Sequence, residues 1–440
     1  MKSSPALVIP ISHSRKEEIN IDKLLRDLCA AGIVLTSLVP EASRWFIFLP
    51  VVLFWVLFSY VSNPKAFNKA FLIPDIKAYS IYLWLVTYTI FYFAGYMHGT
   101  EFNRLINYYR LGFSLLIFNY YLETSDIKAV KRIIVFALMC VFVVCIMTLR
   151  GIALDPMAAR VLATGREDLM QGLTGMTIGS YGFIYGLVFL SVAIIGLIKT
   201  NLLKTQKIVF AVIVVLAIYT IFSAAFMMAL LLLVTTFILL LFNVKKASRL
   251  FGVFLLILIL IFFLTPVLYN ALSYLGDIVM NPALSQRLQE LAFLIRFGGV
   301  EGTENMDARL YFLTLSIGTF LANPILGIGG FYGFETSVHG IGGHSALFDE
   351  LAKYGIFGAG ALLVALYSNA RFVYRRLIHD KQKLVYFCSM SAFFILGAIN
   401  TLLFVPIIFM AYFVVPGLIW SFSEINPAKN SKKNEHPLVR

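Results

Sequence analysis

The sequence predicts an all-α polytopic integral membrane protein with about twelve transmembrane helices and one large loop on the outer side. Of the 440 residues, 60% are hydrophobic and only 13% are charged, and the mean hydropathy is +0.85. Soluble chains carry about a quarter charged residues, so this composition excludes a soluble enzyme or binding protein. Two further observations, runs of about twenty apolar residues and a one-sided distribution of lysine, predict the number and direction of the helices.

Twelve apolar runs are each long enough to cross a bilayer as a helix, the form in which every backbone group is paired within lipid. They lie near 24–40, 45–61, 78–97, 105–122, 133–149, 176–197, 208–222, 224–243, 250–270, 351–370, 384–401 and 403–420. This pattern predicts a cytoplasmic N-terminus (1–23), nine spans (24–270, with an outer loop at 150–175), a large outer loop with short helices (271–350), three spans (351–420) and a basic cytoplasmic tail (421–440).

The distribution of lysine sets the orientation. With the N-terminus in the cytoplasm, 18 of the 19 lysines fall on the cytoplasmic side, and only Lys353 falls outside. This agrees with the positive-inside rule, so both termini are predicted to be cytoplasmic. The net charge of +13 is therefore mostly a topology signal, and no nucleic-acid partner is expected. Residues 1–27 contain no apolar run, which argues against a cleavable signal peptide.

The four cysteines all fall inside predicted spans and form no CxxC or Cys/His pattern. We interpret them as buried small hydrophobic residues. The sequence therefore predicts neither a metal site nor a cofactor.

The basic residues predicted on the outer side are arginines, with Lys353 as the exception. They are Arg44, Arg104, Arg110, Arg150, Arg160, Arg166, Arg287, Arg296 and Arg309. Because the planar guanidinium group binds phosphate oxygens bidentately, we interpret the group as a phosphate or diphosphate site. The candidates are Arg160 and Arg166 in the first outer loop, and Arg287 and Arg296 in the large one. The alternative is that these arginines pair with carboxylates of the acidic large loop and hold its shape.

The large loop contains a short apolar run, Leu310 to Ala322, which is ended by Asn323-Pro324. It is too short to span and is predicted to lie in the interface or to re-enter the membrane as a helix. The glycine-rich stretch 326–333 follows no strand, so it is not a nucleotide-binding fingerprint. We expect it to let the backbone approach a bulky ligand or a neighbouring helix.

His344 is the strongest candidate for a general base, since it precedes a predicted helix start and histidine exchanges protons near neutral pH. The alternative is a capping or loop histidine. His339 is a weaker candidate in a glycine-rich stretch. Asp349 and Glu350 are alternative bases, or they favour the helix N-terminus electrostatically. A small face for close helix packing is predicted at Gly355, Gly358 and Gly360.

His344-Ser345, nine residues and then Gly355-x-x-Gly358 read H-S-x9-G-x-x-G. This pattern resembles the signature of the bacterial O-antigen polymerase and O-antigen ligase family. The resemblance extends back to Arg309 and Asn323-Pro324-Ile-Leu-Gly-Ile-Gly329, and includes the twelve-span topology with one large loop. It implies a GT-C-like membrane glycosyltransferase in the inner membrane, acting at the periplasmic face on glycan carried by undecaprenyl diphosphate.

By motif position, the resemblance implies that Arg309 and His344 are catalytic. Arginines would hold the diphosphate leaving group and the histidine would deprotonate the attacking sugar hydroxyl, without a metal. Its implied partners are the lipid-linked oligosaccharide, the bilayer and a chain-length regulator. Outer-loop aromatic residues are candidates to stack on sugars, with membrane-interface packing as the alternative: Tyr311, Phe331, Tyr332 and Phe334.

A polymerase extends another lipid-linked repeat unit, whereas a ligase transfers the glycan to the lipid A core. Gly342-Gly343-His-Ser with Asp349 and Tyr354-Gly355 is more similar to polymerases, so a polymerase is preferred and a ligase is the alternative. A transporter or flippase is a third reading. It is disfavoured because no paired halves are visible and the spans are nearly free of charge. A non-catalytic scaffold would not need an outer surface of arginines.

Overall fold

The computed structural model describes residues 21–42, 45–72, 75–93, 102–164, 177–200, 202–242, 267, 269–279, 282–297, 304–329 and 340–422. Over these residues the secondary structure is helical, with no strand. Eleven of the twelve predicted runs coincide with described helices. The run at 250–270 falls almost entirely outside the described residues.

Fourteen helices are numbered here in chain order. They are α1 (Ile21–Leu38), α2 (Trp45–Ser62), α3 (Ile76–Phe93), α4 (Phe102–Thr124), α5 (Ile127–Leu154), α6 (Ala158–Thr164), α7 (Tyr181–Ile198), α8 (Lys204–Ser223), α9 (Met227–Leu241), α10 (Pro282–Phe297), α11 (Glu304–Ala322), α12 (Ala346–Arg376), α13 (Asp380–Ile399) and α14 (Val405–Phe422). Shorter helical segments lie at Pro40–Ala42, Pro64–Phe67, Asn68–Leu72 and 269–278, and a π-helical turn, Met410–Val414, lies within α14.

Six of these helices are long and apolar enough to cross a membrane: α5, α7, α8, α12, α13 and α14. Shorter apolar helices lie at Phe46–Ser62, Met228–Leu241 and Tyr311–Ala322. The protein is therefore a multi-pass, all-helical membrane protein, as the composition predicts. The number twelve and the direction of insertion stay predictions.

The centre of the bundle is formed by α14 and α7, which are almost completely buried. Around them, α2, α3 and α8 expose leucine, valine and aromatic side chains on their outer faces. This arrangement is the one expected of a bundle surrounded by lipid, because apolar surface has no need to be hidden there.

One end of the bundle carries a group of ion pairs, and we call it the ionic end. Arg26 of α1 is 1% exposed and donates to Asp27 at 2.6 Å and to Asp126, the N-cap of α5, at 2.8 Å. Arg376, at the last turn of α12, pairs with Glu123 at 2.8 Å. Burial alone would raise the pKa of Asp126, but its bond from Arg26 holds that pKa below the ordinary carboxyl value.

The opposite end carries the residues of the predicted site, and we call it the site end. There the first amide of α12, from Ala346, donates to the Asn400 carbonyl just after α13 at 3.0 Å. The Tyr181 hydroxyl at the start of α7 donates to the Thr401 carbonyl at 2.8 Å. The ends of α7, α12, α13 and α14 therefore meet in one place.

Candidate functional site

The long helix α12 is broken at Gly355, which has φ 59° and ψ −164°. Such a conformation is accessible essentially only to glycine. A break frees backbone carbonyls before it and amides after it, and in a buried place these groups require partners. The predicted span at 351–370 missed this break. In the structure the helix also begins five residues earlier, at Ala346, and continues to Arg376.

Residues 324–329, which we call the clamp, supply the partners that the break requires. The bonds are Ile328 N to Ala352 O (2.9 Å), Gly329 N to Lys353 O (2.7 Å), Ile356 N to Pro324 O (2.9 Å) and Phe357 N to Ile325 O (3.4 Å). A methyl group added at Gly327 would overlap the Lys353 carbonyl, and one added at Gly355 would overlap the Ile325 carbonyl. The glycines of the clamp thus let it approach a neighbouring helix.

Only part of the predicted small face of α12 is used for packing. A methyl group at Gly358 would lie 3.1 Å from Thr87 of α3, so this glycine does allow close approach. At Gly360 the nearest atom of the described residues would be Ile356 Cγ2 of the same helix, at 3.8 Å. Among the described residues, Gly360 therefore allows no close approach of another helix, contrary to the prediction.

The N-terminus of α12 is fixed by a buried serine. Ser345 is 1% exposed, accepts from the Phe348 amide at 3.3 Å and donates to the Ala398 carbonyl at 2.9 Å. Its own amide donates to Asp349 Oδ2 at 3.0 Å. Together with the bond from Ala346 to the end of α13, these contacts hold the residue before Ser345, His344, at a defined place on the site end.

The segment before Ser345 lies along one face of α11. Thr319 Oγ1 accepts from the Gly340 amide at 2.9 Å, and Ser316 Oγ accepts from the Gly342 amide at 2.9 Å. The His344 ring lies 5.0 Å from the Phe312 ring, centroid to centroid. Phe312, Ser316 and Thr319 are spaced by four and three residues, so they form one helical stripe.

Arg309 belongs to the same stripe of α11, since it precedes Phe312 by three residues and one turn. Arg309 therefore lies on the face of α11 that the His344 segment contacts. The side chain of Arg309 lies outside the described residues. The helix predicted at Leu310–Ala322 begins earlier, at Glu304, and ends at Ala322, directly before the predicted terminator Asn323-Pro324. Acidic residues at a helix N-terminus are favourable, which explains why Glu304 and Asp307 extend it.

Arg160 lies at the site end on the short helix α6. It donates to the Ala225 carbonyl in the turn between α8 and α9, and its guanidinium lies 5.7 Å from the Phe226 ring centroid. Ala225 packs on Leu284 of α10, and Arg287 follows Leu284 by one helical turn. The fold therefore brings the backbone positions of two predicted phosphate ligands to one corner. The side chain of Arg287 is outside the described part.

A chain of contacts connects the Arg160 corner to the His344 segment. The Phe226 ring lies 6.0 Å from Tyr181 and 6.1 Å from Tyr185. The Tyr185 hydroxyl accepts from Asn400 Nδ2 at 3.3 Å, and the Asn400 carbonyl accepts the first amide of α12. One cationic corner and one histidine thus border the same end of the bundle.

Residues 208–363 match the family model described as O-Antigen ligase. The match covers about a third of the chain, and we call it the matched region. This region contains Arg309, His344, the clamp and the break at Gly355, and the match supports the O-antigen polymerase and ligase family that the motif resembles. Arg160 and Tyr181 lie outside the matched residues. No curated protein matches the chain significantly.

Within the matched region, the two carboxylates considered as alternative bases have other contacts. Asp349 accepts from Ser316 Oγ at 2.6 Å as well as from the Ser345 amide, so both of its oxygens hold the His344 segment in place. Glu350 is 3% exposed and accepts from Tyr108 at 3.4 Å and from Lys353 at 3.3 Å.

Several predicted residues of the matched region and its surroundings lie wholly or partly outside the described residues. His339, Arg166, Phe331, Tyr332 and Phe334 lie outside the described residues. Arg296 lies on α10, but its side chain is outside the described part. Tyr311 is described and is 58% exposed.

The stripe of α11 that holds the His344 segment was not predicted from the sequence. Ser316 and Thr319 are buried polar residues in an otherwise apolar helix, and each binds a backbone group of the His344 segment. The sequence feature that could have identified them is their spacing: Ser316 follows Phe312 by four residues, and Thr319 follows Ser316 by three, so all three lie on one helix face. In an apolar run, hydroxyl residues on one face indicate a buried polar contact, because a buried hydroxyl requires a partner.

Proposed function

We propose that this protein is a polysaccharide polymerase of the O-antigen type. In the proposed reaction, His344 takes the proton of a sugar hydroxyl on an incoming lipid-linked repeat unit. The hydroxyl oxygen bonds to the anomeric carbon of the donor glycan as the bond from that carbon to the diphosphate oxygen breaks. The electron pair leaves with the undecaprenyl diphosphate, whose charge Arg309 and the arginines at the Arg160 corner stabilise without a metal.

The observation that carries this proposal is the attachment of the His344 segment to the face of α11 that bears Arg309. Two independent amide-to-hydroxyl bonds and the Asp349 carboxylate hold the segment there. A general base and a cation must be rigidly placed relative to one another, since misplacement by about 1 Å costs about a hundredfold in rate. A loop histidine with no chemical role would not require this framework.

The proposal includes the topology that the charge pattern predicts: twelve spans in a GT-C-like arrangement in the bacterial inner membrane, both termini in the cytoplasm, and the site end in the periplasm. The partners are the bilayer, the undecaprenyl-diphosphate-linked oligosaccharide and a chain-length regulator. Fusion of a periplasm-sensitive reporter after Arg376, at the ionic end, should give no periplasmic signal. A strong signal there would reverse the orientation.

A second candidate is an O-antigen ligase, which is favoured by the description of the matched family. Glycan profiles of a deletion strain separate the two functions. A core carrying one repeat unit indicates a lost polymerase, and lipid-linked polymer with a bare core indicates a lost ligase. An unaltered glycan profile would contradict both.

Substitutions of the two motif residues test the chemistry in that strain. His344→Ala and Arg309→Ala should each fail to restore glycan while inserting at the normal level. His379→Ala is the matched control, because His379 is an exposed histidine between α12 and α13 at the ionic end. This variant should restore the normal glycan. Arg309→Lys keeps the charge without the fork, so full activity of this variant would argue against bidentate binding of the diphosphate.

A further inference from the structure

Three aromatic side chains contact one another at the site end, and we call this cluster the aromatic floor: Tyr181, Phe226 and Phe404. The Tyr181 ring lies 6.0 Å from Phe226 and 5.1 Å from Phe404, centroid to centroid. Phe404 is 42% exposed, and the other two are half-buried. They come from three separate segments of the chain, the start of α7, the turn before α9 and the loop before α14.

The aromatic floor is held rigidly from below. The Tyr181 hydroxyl is bound to the Thr401 carbonyl, and the buried Tyr185 ring lies 4.5 Å beneath the Tyr181 ring. Gly182 leaves room for Phe404, since a methyl group there would lie 3.0 Å from Phe404 Cβ. A rigid, half-exposed aromatic face binds a flat apolar ligand surface at little cost in conformational entropy.

The position of the aromatic floor identifies its ligand. Phe226 carries the Arg160 guanidinium 5.7 Å from its ring centroid. At the other side, the loop that bears Phe404 receives the Ala346 amide, two residues after His344. If the arginine corner holds the diphosphate and His344 activates the attacking hydroxyl, the first sugar of the donor has to lie between them.

We propose that the aromatic floor is the subsite for the pyranose ring attached directly to the diphosphate of the lipid-linked glycan. This inference rests on the proposed function and adds the place of the donor sugar. A pyranose presents an apolar face of C–H groups and a polar edge of hydroxyls. The apolar face rests on Tyr181 and Phe404, and the hydroxyl edge remains free for solvent and for the loops of the site end.

The test uses the full-length protein in liposomes with a lipid-linked oligosaccharide as donor. Aromatic contacts contribute about 0.5–1.5 kcal/mol each, so Phe404→Leu and Tyr181→Leu should each raise the KM for the donor about twofold to tenfold with little change in kcat. Inhibition by undecaprenyl diphosphate without sugar should not change, because the aromatic floor contacts only the sugar. Phe404→Tyr keeps the ring face and should retain the normal KM.

Phe93→Leu is the matched control, because Phe93 is a 75% exposed aromatic residue at the end of α3, outside the aromatic floor. An unchanged KM in both leucine variants of the floor, with transfer by the wild type intact, would overturn the inference. An equal rise in the donor KM with Phe93→Leu would indicate that these aromatic residues act by packing at the membrane interface, and this would overturn the inference too. Weaker inhibition of the leucine variants by undecaprenyl diphosphate without sugar would indicate that the aromatic floor binds the lipid diphosphate instead of the sugar, which would also overturn the inference. No transfer by the wild type would contradict the proposed function itself.

Discussion

Replacement of Gly355 by alanine removes the backbone freedom on which the break in α12 depends. The native conformation, at φ 59° and ψ −164°, costs a residue with a side chain about 1–3 kcal/mol. The added methyl group would also overlap the Ile325 carbonyl, which lies in the clamp. To relieve this overlap the clamp must move, and that weakens its backbone hydrogen bonds, which contribute about 0.5–1.5 kcal/mol each.

We therefore expect Gly355→Ala to lower the free energy of unfolding by about 2–4 kcal/mol. It should also lower transfer activity, because the half of α12 before the break follows directly from His344. The measurements are the thermal midpoint of the detergent-purified protein, followed by intrinsic fluorescence, and the rate of glycan transfer in liposomes.

Gly360→Ala is the matched control in the same helix. It lies after the break, where a methyl group would meet no atom of the described residues closer than 3.8 Å. Alanine is favoured over glycine in a helix interior by about 0.5–1 kcal/mol, so this variant should be as stable as the wild type or more so. Equal midpoints and equal activities for the two variants would refute the role assigned to the break.

Three further predictions follow from the same structure. Gly327→Ala should also lower the thermal midpoint. Combining it with Gly355→Ala should lower the midpoint by less than the sum of the two single effects, because both variants disturb the hydrogen bonds between the clamp and α12. Ser316→Ala should reduce kcat at least as much as Asp349→Asn does, because it removes both the acceptor of the Gly342 amide and the donor to Asp349, whereas asparagine keeps one accepting oxygen; a smaller loss of kcat in Ser316→Ala would contradict this. Because the pKa of Asp126 is lowered in the fold, its pairing with Arg26 stabilises the protein fully above the ordinary carboxyl pKa and is lost as pH falls through the folded value. The thermal midpoint should therefore drop less on acidification in Asp126→Asn than in the wild type, and identical profiles would count against the pairing.

The helices were predictable because the signal for each is local. An apolar run of about twenty residues needs no knowledge of its neighbours, so the runs at 133–149 and 208–222 match α5 and α8 closely. The break at Gly355 was not predictable in the same way. Glycine inside an apolar helix usually indicates close packing, and only the distant clamp shows that the backbone turns there.

The residues of the candidate site stay predictions, and their framework was not predicted. A motif marked His344 and Arg309, but the predicted helix began at Leu310, so the alignment of Arg309 with the Phe312–Thr319 stripe was missed. Arg160 was predicted as a phosphate ligand from its residue type and its position in an outer loop. In the structure one of its nitrogens donates to the Ala225 carbonyl, a contact 65 residues away in sequence. Such contacts depend on how helices pack, and hydropathy does not encode packing.

In the proposed reaction, His344 and Arg309 carry out glycosyl transfer at the site end. The most direct measurement follows purified protein in liposomes supplied with an undecaprenyl-diphosphate-linked repeat unit, and quantifies both the lengthened glycan and the released lipid diphosphate. We predict that the wild type forms the two products in equal amounts, and that His344→Ala, with an unchanged thermal midpoint, forms neither. Normal product formation by His344→Ala would contradict the account.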